Sequence, residues 1–128
     1  LVGVHTIAAV EAMTLAVKAG ADPRTVYDVI THGGGNSVSF KTRMPFIFDE
    51  DFAPRGVVEI FTKDLGIVAE AAERLGADVP LTRTAMAQYE AAVAAGYGQM
   101  DDAAVVKVYE ARNDVDVAAA ARGAEDEE

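Results

Sequence analysis

Charged side chains at helical spacing are the first candidates for chemistry in this sequence. Lys63 follows Glu59 by four residues, and Arg74 follows Glu70 by the same interval. On a helix this spacing is typical of exposed ion pairs, which stabilise the helix by about 0.2–0.5 kcal/mol each. Because spacing alone does not distinguish Lys63 from Arg74, it favours a solvated pair at both positions over a ligand-binding site.

Three other titratable side chains stand alone in the sequence. Glu11 lies in an otherwise apolar segment, so it must be paired, hydrogen-bonded or neutralised there, unless it marks the wet edge of a helix. His5 and His32 titrate in the range that acid–base catalysis uses, but neither has a catalytic partner nearby, which favours structural roles. With two histidines and no cysteine, the sequence predicts no metal site and no disulfide.

A glycine-rich turn is the one local motif that could bind an anion. Gly33, Gly34 and Gly35 precede Asn36 and Ser37, and such a turn before a helix can present backbone N–H groups to a phosphate or carboxylate. However, it lacks a preceding strand, the G-x-G-x-x-G order and the lysine of a phosphate-binding loop. The pattern therefore favours the end of one helix followed by the N-cap of the next.

The composition indicates one globular domain and excludes one class of partner. The 128 residues are 51% hydrophobic and carry 21 acidic against 11 basic side chains, a formal net charge of −10. This charge repels phosphate backbones, so nucleic acid is not an expected partner. Residues 113–128 hold six acids and one arginine, which predicts frayed helix or disorder. We therefore expect a helical domain over 1–112 and an acidic, alanine-rich tail over 113–128.

No segment of the sequence is suited to cross a membrane. Residues 1–19 form a long apolar stretch, but Glu11 and Lys18 interrupt it, and a membrane helix needs about 20 apolar residues. The basic region and cleavage site of a signal peptide are also missing. We expect a cytoplasmic protein with no membrane partner.

The first half of the chain is predicted to contain three helices. Residues 1–19 are apolar on nearly every face, which predicts a central helix that is buried on most sides. Gly20 is suited to end that helix, and Asp22 and Pro23 supply the N-cap and the first-turn proline of a helix to about residue 32. Asn36 or Ser37 can then cap a short helix toward residue 43, which a proline at position 45 is expected to interrupt, and residues 46–54 are predicted to be loop.

The second half is predicted to contain three more helices. From Val57 to Leu75 apolar residues recur at alternating intervals of three and four, a regular seam that requires a helical partner. Further helices are expected from Pro80 or Thr82 to about residue 95, and from Asp101 or Asp102 onward. No segment alternates as a strand would, so the predicted fold is an all-α bundle of about six helices. The seam consists of Val58, Phe61, Leu65, Val68, Ala72 and Leu75.

Several short segments, in this order and at this spacing, resemble the C-terminal domain of the β-hydroxyacid (3-hydroxyisobutyrate) dehydrogenase family. The resemblance covers about residues 1–112 and is greatest to the members that act on threonate. It implies the helical fold of the C-terminal domain of 6-phosphogluconate dehydrogenase. The segments are Glu11-Ala12-Met13, Ala19-Gly20-Ala21-Asp22-Pro23, Gly35-Asn36-Ser37, Arg43-Met44, Phe61-Thr62-Lys63-Asp64-Leu65-Gly66, Ala95-Gly96-Tyr97-Gly98 and Asp101-Asp102-Ala103-Ala104-Val105.

The resemblance implies oxidation of a 3-hydroxy acid by NAD, with NADP as the alternative. In the family a lysine handles the hydroxyl proton while the nicotinamide accepts the hydride. That lysine would lie roughly five or six residues before Leu1, about one and a half helical turns away. Since the first helix has no capping residue in front of it, we expect it to begin upstream, together with a Rossmann domain. The chain alone is then predicted to hold no catalytic residue and to be inactive.

The resemblance also assigns binding residues. Lys63 matches the family lysine that lies at the cofactor, and Asp64 beside it is a candidate on the substrate side. Gly56 stands where some relatives carry an aromatic residue, which would suit a longer, hydroxylated substrate. Asn36 and Ser37 are expected to line the cleft.

Two functions from different classes remain open at this point. The first is one wall of a dehydrogenase cleft in a homodimer or higher homo-oligomer, with a small hydroxy acid as substrate. The second is a non-catalytic helical dimerisation or interaction module, because the family includes relatives that have lost the lysine. The sequence upstream of Leu1 would distinguish the two.

Overall fold

The computed structural model describes residues 1–125 and shows no strand among them, which confirms the all-α prediction. Seven α-helices and one short 3₁₀ helix make up this part of the chain. They are α1 (Val2–Lys18), α2 (Pro23–Thr31), α3 (Val38–Phe48), α4 (Val58–Leu75), α5 (Pro80–Ala94), the 3₁₀ helix (Asp102–Val105), α6 (Val106–Asn113) and α7 (Val117–Glu125).

Helix α1 lies at the centre of the bundle. It packs against α2, α3, α5, α6, α7 and the 3₁₀ helix, and its Ile7, Val10 and Met13 side chains are buried. One face stays uncovered, where Leu15 is 68% exposed. The predicted burial on most sides is therefore present, and no helix among residues 1–125 is long and apolar enough to span a bilayer.

The junction between α1 and α2 forms as local capping rules predict. Gly20 has φ +85°, the left-handed backbone that glycine adopts without strain. The Asp22 carboxylate accepts hydrogen bonds from the backbone N–H groups of Arg24 and Thr25. A further hydrogen bond from the Thr25 hydroxyl holds the pKa of Asp22 below its usual value. Since these contacts span three residues at most, they could be predicted from sequence.

The prediction that Pro45 interrupts the third helix is wrong. Helix α3 continues through Pro45 to Phe48, so the first three residues of the predicted loop are helical. A proline inside a helix leaves the carbonyl four residues earlier without its N–H donor. Here that carbonyl belongs to Lys41, and the Tyr27 hydroxyl donates to it at 3.0 Å. A side chain from α2 thus replaces the missing donor, and burial of Ile47 stabilises the extra turn.

Helices α4 and α5 form an antiparallel hairpin whose contacts follow only part of the predicted seam. Val58 and Leu65 are buried, but Val68 is 44% exposed and Leu75 is 82% exposed. In the second half of α4 the seam residue Ala72 is buried, together with Ala69, which lies outside the seam. The seam has a period of 3.5 residues, whereas an α-helix has 3.6, so the seam drifts about 20° per heptad away from its partner.

The prediction of frayed helix or disorder after residue 112 is wrong for the described residues. Helix α7 packs on α2 and α3, with Val117 and Ala121 fully buried. Its first turn is capped by Glu110, whose carboxylate accepts the Val117 N–H at 2.9 Å, and burial raises the pKa of Glu110. The last three residues of the acidic tail, 126–128, lie outside the described residues.

Two consecutive buried aspartates join α3, the loop before α4 and the 3₁₀ helix. Asp102 is 1% exposed and accepts a bidentate pair of hydrogen bonds from Arg43, at 3.1–3.2 Å. Burial raises the pKa of Asp102, and the Arg43 charge opposes that shift. Asp101 caps the 3₁₀ helix by accepting from the Ala103 N–H, and it pairs with Arg55 at 3.3 Å. Both aspartates therefore have the donors that buried carboxylates require.

Replacing Arg43 tests this arrangement. The Arg43→Met substitution leaves Asp102 buried without its partner, and we expect it to lower the free energy of unfolding by about 3 kcal/mol. Arg74→Met removes an exposed pair with Glu70 and is expected to cost less than about 0.5 kcal/mol. Urea denaturation of both variants measures the difference. Equal decreases in the free energy of unfolding would contradict the prediction, because the buried pair would then stabilise the fold no more than the exposed one.

Candidate functional site

Lys63 lies on the exposed surface of α4. Its side chain is 67% exposed, and its Nζ atom lies 3.2 Å from Oδ1 of Asp64, which is 50% exposed. The predicted pair between Glu59 and Lys63 does not form. Instead, the Glu59 carboxylate accepts from the Gln99 side chain at 2.6 Å and lies against Gly98, where a Cβ atom would come within 2.8 Å of it. The ammonium group of Lys63 is thus more accessible than it would be in the predicted pair with Glu59.

The equivalent pair later on α4 forms as predicted. Arg74 and Glu70 lie 3.3 Å apart, and both side chains are more than two-thirds exposed. Arg74 and Lys63 therefore differ in their partners although their sequence spacing is the same.

The first turn of α1 meets side chains of α4. A Cβ atom on Gly3 would lie 3.0 Å from the Phe61 ring, so a larger residue at this position would require the Phe61 side chain to shift. The Phe61 ring stacks on Tyr89 of α5 at 5.0 Å between centroids. The buried Tyr89 hydroxyl donates to the Gly3 carbonyl at 2.8 Å, and burial raises the pKa of Tyr89. Lys63, two residues after Phe61, lies about 200° around α4 from the face that meets Gly3 and is exposed.

Gly56 lies in the loop that ends at the beginning of α4. Its carbonyl accepts the Asp102 N–H at 2.7 Å, so the buried aspartates fix its position. No heavy atom lies within 4 Å of where a Cβ atom would stand. A larger side chain would therefore fit at this position.

Asn36 and Ser37 lie in a different place, a cavity of about 360 Å³ between α1, the end of α2 and the start of α3. We call this the α1–α3 cavity. Ser37 is the N-cap of α3, since its Oγ accepts the Phe40 N–H at 3.0 Å. His5 also lines the cavity. The remaining lining residues are Ala8, Ala9, Ala12, Ile30, Gly35 and Phe40.

The predicted site residues therefore fall on two surfaces. Lys63 and Asp64 lie on α4, whereas Asn36 and Ser37 line the α1–α3 cavity. Gly3 faces α4, and His5 lines the cavity. Two residues along an α-helix turn the side chain by about 200°, so the cavity and the α4 surface flank opposite sides of α1. The structure brings Lys63 next to Asp64 but does not place either of them in the cavity with Asn36.

His5 is the cavity residue that sequence reasoning missed. Its spacing to Ala8, Ala9 and Ala12 puts all four residues on one helical face. This signal was available, but a stripe of small residues and one histidine is more often part of a core. The other isolated groups have ordinary surroundings: Glu11 is exposed and accepts from the Tyr109 hydroxyl at 3.0 Å.

Tyr109, the residue that donates to Glu11, is itself buried, and burial raises its pKa to about 12. His32 is exposed and pairs with Asp28 on α2. Within residues 1–125, no cluster of three or more His, Cys, Asp or Glu side chains could hold a metal ion. The described surface thus offers an exposed cation on α4 and a mainly apolar cavity beside α1. Both features are suited to binding a ligand rather than to catalysis.

Comparison with known proteins relates these features to one family. The family model that matches residues 1–109 is described as the NAD-binding domain of NADP-dependent 3-hydroxyisobutyrate dehydrogenase. The chain is 46% identical over 109 residues to the L-threonate dehydrogenase of Escherichia coli (strain K12), which covers 85% of this chain and 36% of that protein. It is 34% identical over 118 residues to the 2-(hydroxymethyl)glutarate dehydrogenase of Eubacterium barkeri, covering 91% and 39% respectively.

Solved structures of related proteins have the same fold. The crystal structure of a 3-hydroxyisobutyrate dehydrogenase from Salmonella typhimurium matches with a TM-score of 0.82 and 49% identity, over 84% of this chain and 38% of that one. The Mycobacterium tuberculosis 3-hydroxyisobutyrate dehydrogenase, solved with L-serine, matches with a TM-score of 0.75 and 32% identity, over 84% and 39%.

The chain spans somewhat more than a third of the length of these relatives. The matched residues run from α1 to α6 and include Lys63, Asp64 and the whole α1–α3 cavity. The chain belongs to the 3-hydroxyisobutyrate dehydrogenase family, through the domain whose family model is described as NAD-binding.

Proposed function

We propose that this chain is the C-terminal helical domain of an NAD(P)-dependent β-hydroxyacid dehydrogenase and forms one wall of its active-site cleft. The observation that carries the proposal is the accessible Lys63 on the outer face of α4, in a region whose family model is described as NAD-binding. Family membership supports the oxidoreductase class. The substrate and the role of each residue are inferences from the site.

The surroundings of Lys63 suit a contact with a dinucleotide. A lysine ammonium is a compact point charge with three donors, and it binds phosphate oxygens well. Among the described residues its ion-pair partner is Asp64, an exposed neighbour that a phosphate can displace. We infer that Lys63 contacts the bound cofactor, NAD in the first instance and NADP as the alternative. The bound cofactor supplies the acceptor for the hydride, and Lys63 orients it.

The substrate is a small 3-hydroxy acid of the threonate or 3-hydroxyisobutyrate type. Asp64 stands beside Lys63 and can accept a hydrogen bond from a substrate hydroxyl. The open space at Gly56 suits a longer, hydroxylated substrate, because the position lacks a side chain that would fill it. Asn36 and Ser37 line the α1–α3 cavity on the other side of α1, so a small substrate bound at Asp64 would not contact them directly.

Proton transfer is assigned to the remainder of the protein. The lining of the α1–α3 cavity contains no lysine, and Lys63 on α4 is assigned to the cofactor. The family lysine that handles the hydroxyl proton is proposed to lie upstream of Leu1. We therefore expect residues 1–128 alone to give no turnover.

The Lys63→Ala substitution in the full-length protein tests the cofactor role. Loss of a charge-assisted hydrogen bond of about 1.5 kcal/mol weakens NAD binding about tenfold. Arg74→Ala, which removes an equally exposed cation from the same helix, is the matched control and is expected to leave the affinity unchanged. Isothermal titration with NAD measures both variants, and turnover of threonate and 3-hydroxyisobutyrate identifies the substrate.

Equal NAD affinity in wild type and Lys63→Ala would contradict the assignment of Lys63. Absence of NAD binding and of turnover in the full-length protein would favour the second function, a non-catalytic helical interaction module.

We also propose that the protein is a homodimer or higher homo-oligomer. The far half of the α4–α5 hairpin exposes large apolar side chains, with Ile67 57% exposed, Leu75 82% and Leu81 71%. Contiguous exposed apolar surface is typical of a protein interface.

Light scattering of the full-length protein tests this interface. The Leu75→Glu substitution is expected to convert the oligomer to a smaller species, because it places a charge in an apolar contact. Val38→Glu, at a 78% exposed position on α3, is the control and should leave the mass unchanged. A wild-type monomer, or the opposite response of the two variants, would exclude this surface.

A further inference from the structure

We propose that the α1–α3 cavity is a binding site for the uncharged, hydroxylated part of a small molecule. The cavity lies on the other side of α1 from α4, and its lining does not include Lys63. Binding in the cavity therefore does not depend on the cofactor role of Lys63.

The size and the walls of the cavity are those of a ligand pocket. Its volume of about 360 Å³ falls within the range of about 300–1,000 Å³ that small-molecule sites occupy. Ala8 and Ala12 of α1 form one wall, and Ile30 and Phe40 form the opposite side. Alanine side chains are short, so this stretch of α1 leaves open space where larger residues would fill the gap.

The polar groups of the cavity have unused hydrogen-bonding capacity. His5 is half-buried, and within residues 1–125 its imidazole ring makes no hydrogen bond and no ion pair. The Asn36 side-chain amide likewise makes no hydrogen bond to the rest of the described chain. The Ser37 Oγ accepts the Phe40 N–H, but its own hydroxyl hydrogen has no acceptor there. These three side chains line the cavity and offer donors and acceptors to a ligand.

The charge of the cavity selects the class of ligand. Its lining contains no Lys, Arg, Asp or Glu, whereas protein sites for carboxylates and phosphates usually contain a cation. A hydroxyl group both donates and accepts, so it matches an imidazole, an amide and a hydroxyl together. The apolar walls contact the carbon chain of the ligand. Short polyols, and the hydroxylated end of a sugar acid whose carboxylate lies outside the cavity, share this chemistry.

The position of the cavity makes it a separate site on the domain. His5 lines the cavity on one side of α1, whereas Gly3, about 200° around the helix, faces α4. A ligand in the cavity therefore contacts neither Lys63 nor Asp64 directly. Loss of cavity binding and loss of NAD binding are for this reason independent measurements.

Ligand-observed NMR on the full-length protein tests the proposal, with threitol as the uncharged probe. We expect saturable binding of threitol that weakens about tenfold in His5→Ala, because a hydrogen bond to the ligand and part of the cavity lining are lost together. Asn36→Ala should weaken it in the same direction. His32→Ala removes the exposed histidine that follows the last residue of α2 and is the matched control, with unchanged affinity. Unfolding midpoints of the three variants exclude loss of folding as the cause.

A second arm with threonate distinguishes the source of the hydroxyl groups. Competition between threonate and threitol supports the hydroxylated end of a substrate as the occupant, and binding of threitol without competition supports a free polyol. Both results retain the proposal. It is overturned if threitol does not bind saturably, if His5→Ala binds it as wild type does, or if threonate alone binds in a His5-dependent way.

Discussion

The fold of this domain depends on a charged pair that it buries. Asp102 is almost fully enclosed and is compensated by a bidentate contact with Arg43 of α3. Removing either partner would leave a charge in the core, which costs more than most apolar contacts supply. The backbone N–H of Asp102 also holds the Gly56 carbonyl, so the same residue fixes the loop that starts α4. The position of α4, and therefore of Lys63, follows from this constraint.

A second set of contacts links α1 to α4. A Cβ atom on Gly3 would lie 3.0 Å from the Phe61 ring, so glycine at this position lets Phe61 approach α1 without a shift. Tyr89 donates a hydrogen bond to the Gly3 carbonyl and stacks on Phe61. These contacts hold the inner face of α4 against the central helix, while Lys63 projects from its outer face. Packed supporting contacts suit the proposed task of positioning a cofactor.

Local signals predicted much of the fold, and tertiary contacts account for the errors. The cap at Asp22 spans a few residues and is visible in sequence. The continuation of α3 through Pro45 is not, because Tyr27 supplies the missing donor from another helix. For the site, Lys63 was assigned by resemblance, since its local spacing matches that of an ordinary ion pair. The spacing of His5 to the alanines of α1 is also found in ordinary core helices, and the rest of the cavity lining comes from α2, α3 and the turn between them, so the fold was needed to show that His5 lines a cavity.

The central claim is that the α4 surface that carries Lys63 is a wall of the cofactor site. A crystal structure of the full-length protein with NAD bound tests it most directly. The account predicts the Lys63 Nζ atom at hydrogen-bonding distance from the cofactor, with the Asp64 pair broken or rearranged. Cofactor density that leaves Lys63 in solvent, with α4 facing away from the cleft, would contradict it.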